Sequence, residues 1–118
     1  MAIDYPALVK ELNAKIRTYS SAAPDVMTSM GALGKAAYAP GALPTKIKEL
    51  MALAIGIADR CDGCIAYHTK GAHRYGASRE EVAETIAVAI QMGGGPSMVF
   101  GAQALAAFEQ FADQPKKS

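Results

Sequence analysis

Tryptophan is absent from this sequence, and cysteine occurs only twice among its 118 residues. Two cysteines three positions apart cannot staple a small fold the way the several bridges of a secreted scaffold do. No stretch approaches the roughly 18 unbroken apolar residues of a membrane-spanning helix. An excess of charge is missing too: 12 basic and 11 acidic side chains leave a formal net charge of +1. Such a balance offers no electrostatic footprint for nucleic acid or for an anionic membrane surface. The N-terminus reads Met-Ala-Ile-Asp-Tyr-Pro, with no basic segment ahead of an apolar one. No secretory signal is expected from it, and the cytoplasm is the expected location. The Lys116-Lys117 pair reads as a solvated end. No internal repeat, low-complexity tract, linker or convincing strand pattern is found.

What is present is helix-forming. Alanine occurs 24 times, and with seven Leu and six Met it outweighs the 18 β-branched Val, Ile and Thr. Turn chemistry divides the chain into six helical segments. The first runs from about Tyr5 to Tyr19, with Leu8, Leu12 and Ile16 on one stripe. The second begins at Pro24-Asp25, carries Val26, Met30, Leu33 and Ala37, and stops before Pro40-Gly41. The third begins at Pro44-Thr45. Ile47, Leu50, Met51, Ala54, Ile55 and Ala58 make its expected buried face, and Leu53 and Ile57 make the opposite face apolar too, so it should be central. The fourth follows Asp62-Gly63 and ends at Tyr75-Gly76, where glycine can take a left-handed cap. Ser78-Arg79-Glu80-Glu81 is a capping box that opens the fifth, with Val82, Ile86, Ala89 and Ile90 facing inward. Gly93-Gly94-Gly95-Pro96 breaks it, and the run lacks the Gly-Lys-Ser/Thr ending of a phosphate loop. The last runs from about Ser97 to Phe111. The expected fold is all-α: a single compact bundle of about six helices over residues 1–118, with the third and fourth as an antiparallel hairpin.

The chemistry is concentrated between Glu49 and His68. Cys61, Cys64 and His68 lie at i, i+3 and i+7, on one face near the start of the fourth helix. Unpaired amides and the macrodipole at a helix start favour a thiolate. A thiol with pKa about 8.5 is only about 3 % thiolate at pH 7, whereas one with pKa about 6.5 is about 75 % thiolate. Two thiols this close can close a disulfide, so an oxidised nucleophile has a resolving partner. Glu49 sits inside a helix that is apolar on nearly every side, where a carboxylate is costly unless paired or protonated. If the third helix folds back on the fourth, Glu49 can reach His68 or Cys61, directly or through water, and serve proton transfer from a thiol. The alternative for Glu49 is an ion pair with a lysine such as Lys46 or Lys48, or with an arginine of a neighbouring subunit. A zinc site built from Cys61, Cys64, His68 and either Glu49 or His73 is the competing use of the cysteines, although common zinc sites use two separated pairs. Tyr67 and Tyr75 read as packing residues, with Tyr67 near enough to line a substrate pocket.

The pattern Glu49-x11-Cys61-x2-Cys64-x3-His68 resembles the signature of the alkylhydroperoxidase D-like branch of the carboxymuconolactone decarboxylase family, over roughly residues 43–111. The resemblance implies an all-α fold and a thiol-dependent peroxidase or disulfide reductase. It makes Cys64 the peroxide-attacking thiol, Cys61 the resolving thiol, and Glu49 and His68 parts of a proton relay. It implies no metal and no dissociable cofactor, the redox carrier being a Cys61–Cys64 disulfide. It also implies a homo-oligomer, a trimer or hexamer, in keeping with the 51 % hydrophobic composition. The substrate would be a small peroxide or disulfide, and the electron donor a dithiol or a lipoyl-bearing protein. Gly63 stands where the better-characterised peroxidases carry a histidine. A zinc-binding or structural oligomeric module, and a lactone decarboxylase-type lyase, are the alternatives; the lyase branch typically lacks the cysteine pair.

Overall fold

The computed structural model describes residues 2–115, so the Lys116-Lys117 pair lies outside the described residues. Six helices follow one another: α1 Tyr5–Ala22, α2 Pro24–Tyr38, α3 Thr45–Ala58, α4 Asp62–Arg74, α5 Arg79–Gly93 and α6 Gly95–Ala112. No strand occurs among the described residues, so the all-α expectation holds.

Local chemistry accounts for most of the boundaries. The Asp4 carboxylate accepts from the Ala7 amide and caps α1, whose first turn contains Pro6. Ser78 Oγ accepts from the Glu81 amide while Glu81 Oε1 accepts from the Ser78 amide, which completes the capping box of α5. Gly76, at φ +87°, and Gly94, at φ +72°, take backbone conformations that cost any residue with a Cβ. The turn at Gly94 lets α6 fold directly back on α5.

Helix α3 is central and packs against α4, α5 and α6. Leu53 and Ile57 are fully buried there, with Leu50 and Gly56 beside them. They join Val9, Ile65, Val82, Ile86, Ala104, Phe108 and Phe111 in one core. This corrects the expected burial of α3: Leu50 is buried, but Met51 and Ile55 of the same predicted face are exposed. The helix is apolar nearly all round, so its own pattern does not choose the inward side. The close approach of α4 at Gly56 does, since a Cβ there would stand 2.8 Å from Cys64 Cβ.

The apolar stripe of α2 faces outward. Val26, Met30 and Leu33 are 57 %, 61 % and 63 % exposed, and α2 has no buried residue. It packs chiefly on α1 and α3, through the half-buried side of Met27, Gly34 and Tyr38, and Tyr38 also reaches α4. On α1, Leu8 and Leu12 are half-buried as expected, but Ile16 is exposed, and Tyr5 and Val9 carry the burial.

Candidate active site

The α3–α4 hairpin assembles the site. After Ala58 the chain reverses at Arg60, whose φ of +55° is left-handed although it is not glycine. The Cys61 amide then donates to the Gly56 carbonyl at 3.0 Å, and the Arg60 amide to the Ile57 carbonyl at 3.1 Å. This reversal leaves Cys61 as the N-cap of α4, just before its first turn, where its Sγ accepts from the Cys64 amide at 3.1 Å. The two sulfurs are bonded to each other, with Cα atoms 5.2 Å apart. Both cysteines are half-buried.

One turn beyond Cys64, His68 projects from the same side of α4. Its Nδ1 lies 2.8 Å from Oε2 of Glu49, contributed by α3. A carboxylate can only accept, so Nδ1 carries the proton of this bond, and Nε2 is the ring atom left to take or give one. The pair is sheltered rather than sealed: the His68 side chain is 24 % exposed and that of Glu49 12 %. The lysines considered as partners for Glu49 are engaged elsewhere. Lys46 pairs with Glu81 at 2.9 Å, and Lys48 Nζ donates to the Ala39 carbonyl at 2.5 Å.

Three contributors to this geometry are not singled out by their local sequence. A Cβ at Gly71 of α4 would overlap the Glu49 carboxylate, so glycine is what admits that carboxylate against the helix. Gly56 does the same for Cys64 against α3. The available signal is an interior glycine in each helix, an isolated cost of about 1 kcal/mol relative to alanine that calls for a packing reason. The third is Tyr38, whose ring stacks on the His68 imidazole with centroids 5.8 Å apart. Gly63, the departure noted above, faces α1: a Cβ there would stand 3.1 Å from Leu12 Cδ1.

A cavity of about 320 Å³ opens beside the pair, lined by Glu49, Tyr67, His68, Lys70, Gly71 and Arg74 among others. Tyr67 thus lines a pocket as well as packing, and its hydroxyl donates to Asn13 Oδ1 at 2.6 Å. Burial raises the pKa of the Tyr67 phenol above its usual value and keeps it a donor at neutral pH. A larger cavity of about 500 Å³ lies by Ile3 and Gln110, without a thiol or an imidazole in its walls. Among the described residues no group of three or more His, Cys, Asp and Glu side chains is arranged to hold a metal ion. His73 packs edge-on against Phe108 with ring centroids 5.8 Å apart.

Comparison with known proteins places this architecture. The family model described as the carboxymuconolactone decarboxylase family matches residues 24–109, and the chain belongs to that family. It is 38 % identical over 109 residues to an uncharacterised protein of Cupriavidus necator, covering 92 % of this chain and 96 % of that one. It is 39 % identical over 79 residues to an uncharacterised protein of the cox locus of Paracoccus denitrificans, covering 67 % and 71 % of the two chains. Among solved structures, a carboxymuconolactone decarboxylase family protein from Legionella pneumophila superposes with a TM-score of 0.90 at 38 % identity, over 92 % of this chain and 97 % of that one. A Thermotoga maritima member of the same family gives 0.77 at 32 % identity, over 94 % and 92 %; an antioxidative role has been suggested for that protein.

Proposed function

We propose that this protein is a thiol-dependent peroxidase or disulfide reductase that cycles between a Cys61/Cys64 dithiol and their disulfide. The observation that supports it most is the 2.8 Å Glu49–His68 contact one helical turn from Cys64, whose sulfur is joined to that of Cys61 at the helix start. A histidine held by a carboxylate one turn from a thiol supports proton transfer to and from that thiol. Membership of a family with a Thermotoga relative linked to antioxidative response agrees with it.

In the reduced protein Cys64 passes its proton to His68 Nε2, and Glu49 steadies the imidazolium through Nδ1. The Cys64 thiolate attacks one oxygen of a hydroperoxide. The S–O bond forms, the O–O bond breaks, and the departing alkoxide takes the proton from His68. The Cys61 thiol then attacks the sulfenic acid sulfur, forming the disulfide and releasing water. A dithiol donor, free or lipoyl-bound, closes the cycle. One of its thiolates attacks Cys61 and displaces Cys64, which is reprotonated. Its second thiol then closes the donor disulfide and releases Cys61 as a thiolate, which the Cys64 amide at the helix N-cap stabilises. A disulfide substrate would be reduced by the same two exchanges run toward the protein disulfide. No dissociable cofactor enters the cycle.

The apolar outward side of α2 supports a second element of the reading, that the protein works as a homo-oligomer. Val26, Met30 and Leu33, like Met51 and Ile55 of α3, are large apolar side chains left exposed, which a second copy of the chain would cover.

The deciding experiment treats reduced wild type, Cys64→Ser and Cys61→Ser with one equivalent of peroxide in the presence of a sulfenic-acid probe. Label on Cys64 in Cys61→Ser, and none in Cys64→Ser, is the expected result. Label on Cys61 in Cys64→Ser at the wild-type rate reverses the roles. Indifference of all three proteins to peroxides and to disulfides removes the redox reading and returns the structural module and the lyase.

A further inference from the structure

Helix α2 touches the rest of the chain through few side chains, and its last residue lands on the Glu49–His68 pair. The Tyr38 ring lies over the His68 imidazole with centroids 5.8 Å apart and planes inclined by 22°. Burial, and then the negative charge of Glu49, raises the phenol's pKa above 10.0, so the hydroxyl stays neutral beside the carboxylate. The end of α2 is tied down by α3, the helix that carries Glu49. Thr45 Oγ1 donates to the Tyr38 carbonyl at 2.8 Å, and Lys48 Nζ donates to the Ala39 carbonyl at 2.5 Å.

One hydrogen bond does not orient an imidazole. The ring can still pivot about that bond and swing Nε2 through an arc, or turn over about its Cβ–Cγ bond, leave Glu49 and carry its proton on either nitrogen. A flat group against the ring face removes this freedom, because a stacked pair resists tilting on contact grounds alone. We propose that Tyr38 is a positioning residue for the proton relay: its ring clamps the plane of His68, so that Nε2 keeps one direction. The clamp acts through the ring face and not through the hydroxyl. It rests on reading Glu49 and His68 as a relay, and it makes the docking of the thinly packed α2 a condition for a well-ordered site.

The test reads the imidazole itself. In reduced protein labelled with ¹⁵N-histidine, long-range ¹H–¹⁵N correlation reports which nitrogen of each ring holds the proton, with His73 as an internal control. Wild type and Tyr38→Phe are expected to show a single His68 tautomer protonated on Nδ1. Tyr38→Leu, which keeps bulk but offers no flat face, is expected to show both tautomers and to oxidise its first thiol roughly tenfold more slowly, a part of what one acid–base group contributes. Thr45→Val, which only loosens the tether, should move both readouts the same way by less. A single Nδ1–H tautomer and the wild-type rate in Tyr38→Leu overturn the clamp. So does a tautomer mixture in wild type, and so does Tyr38→Phe behaving like Tyr38→Leu, which would move the role to the hydroxyl. The spectrum needs no turnover. Protein inactive on peroxides and disulfides whose tautomer still depends on Tyr38 would refute the redox reading and keep the positioning role. An active Tyr38→Leu enzyme with a fixed tautomer would do the reverse.

Discussion

At the scale of single residues, the site depends on atoms that are missing as much as on those present. Gly71 brings the Glu49 carboxylate against α4, within 2.8 Å of His68. In Gly71→Ala the added methyl and that carboxylate cannot share the space. Alanine is the better helix former by about 1 kcal/mol, so the expected outcome is near-wild-type thermal stability with slower first-thiol oxidation. The loss should approach that of Glu49→Gln, about 10²–10³-fold for one general acid/base contribution. Stopped-flow oxidation with one equivalent of peroxide, beside a thermal melt, separates the two effects. A Gly71→Ala protein oxidised at the wild-type rate would show that the Glu49–His68 distance does not matter to the step.

At the scale of elements, the start of α5 is the best-defined local structure. Its capping box is joined to α3 by the 2.9 Å Lys46–Glu81 bridge. Ser78→Ala is expected to cost about 1 kcal/mol near neutral pH, read from urea unfolding. The Ser78 amide, and then Lys46, lower the pKa of Glu81 below its usual 4.5. Because the folded value lies below the unfolded one, the stabilisation is fully present above pH 4.5 and is lost as the pH falls through the folded value. Glu81→Gln should therefore have a lower urea midpoint than wild type at pH 7, and the two midpoints should converge at strongly acidic pH. A difference that persists unchanged would mean that the carboxylate's charge is not what holds the helix start. Helix α2 is the opposite case, an element with no buried residue of its own.

That weakness is resolved at the scale of the whole molecule. A 15-residue helix with no fully buried residue gains little from tertiary packing, and its outward stripe is the apolar one. In the homo-oligomer proposed above, Leu33→Glu would place a charge in the contact between copies. Light scattering at micromolar concentration should then report smaller particles than wild type. A monomeric wild type would end the assembly proposal. Alkaline stability is also a property of the whole fold. Burial raises the phenols of Tyr5, Tyr38 and Tyr67 above 10.0, with Asp62 adding to the effect at Tyr5 and Glu49 at Tyr38. Below that value the three are neutral in both states. Above it the unfolded chain ionises first, so stability should fall as the pH rises from 10 through the folded values. Chemical denaturation at pH 9 and at pH 11 measures the drop, and Tyr67→Phe should reduce it.

The sequence by itself determined what nearest neighbours along a helix can decide. The all-α class, four of the six helix starts to within a residue and the cap at Gly76 follow from turn residues, capping side chains and i, i+4 spacing. So does the placing of Cys61 and Cys64 at the mouth of α4, one turn and more before His68. The tertiary structure alone decided which side of an all-round apolar helix faces inward. Met51 and Ile55 of α3 and Val26, Met30 and Leu33 of α2 follow the helical period but face outward, because the choice is made by the partner that can approach most closely. It also decided that Glu49 meets His68 across 19 positions of chain and that Tyr38 covers the ring from a third helix. Gly56 and Gly71 show the reason. Read along the chain, a glycine inside a helix is only a local cost, and its benefit exists only in the group that comes to rest against it.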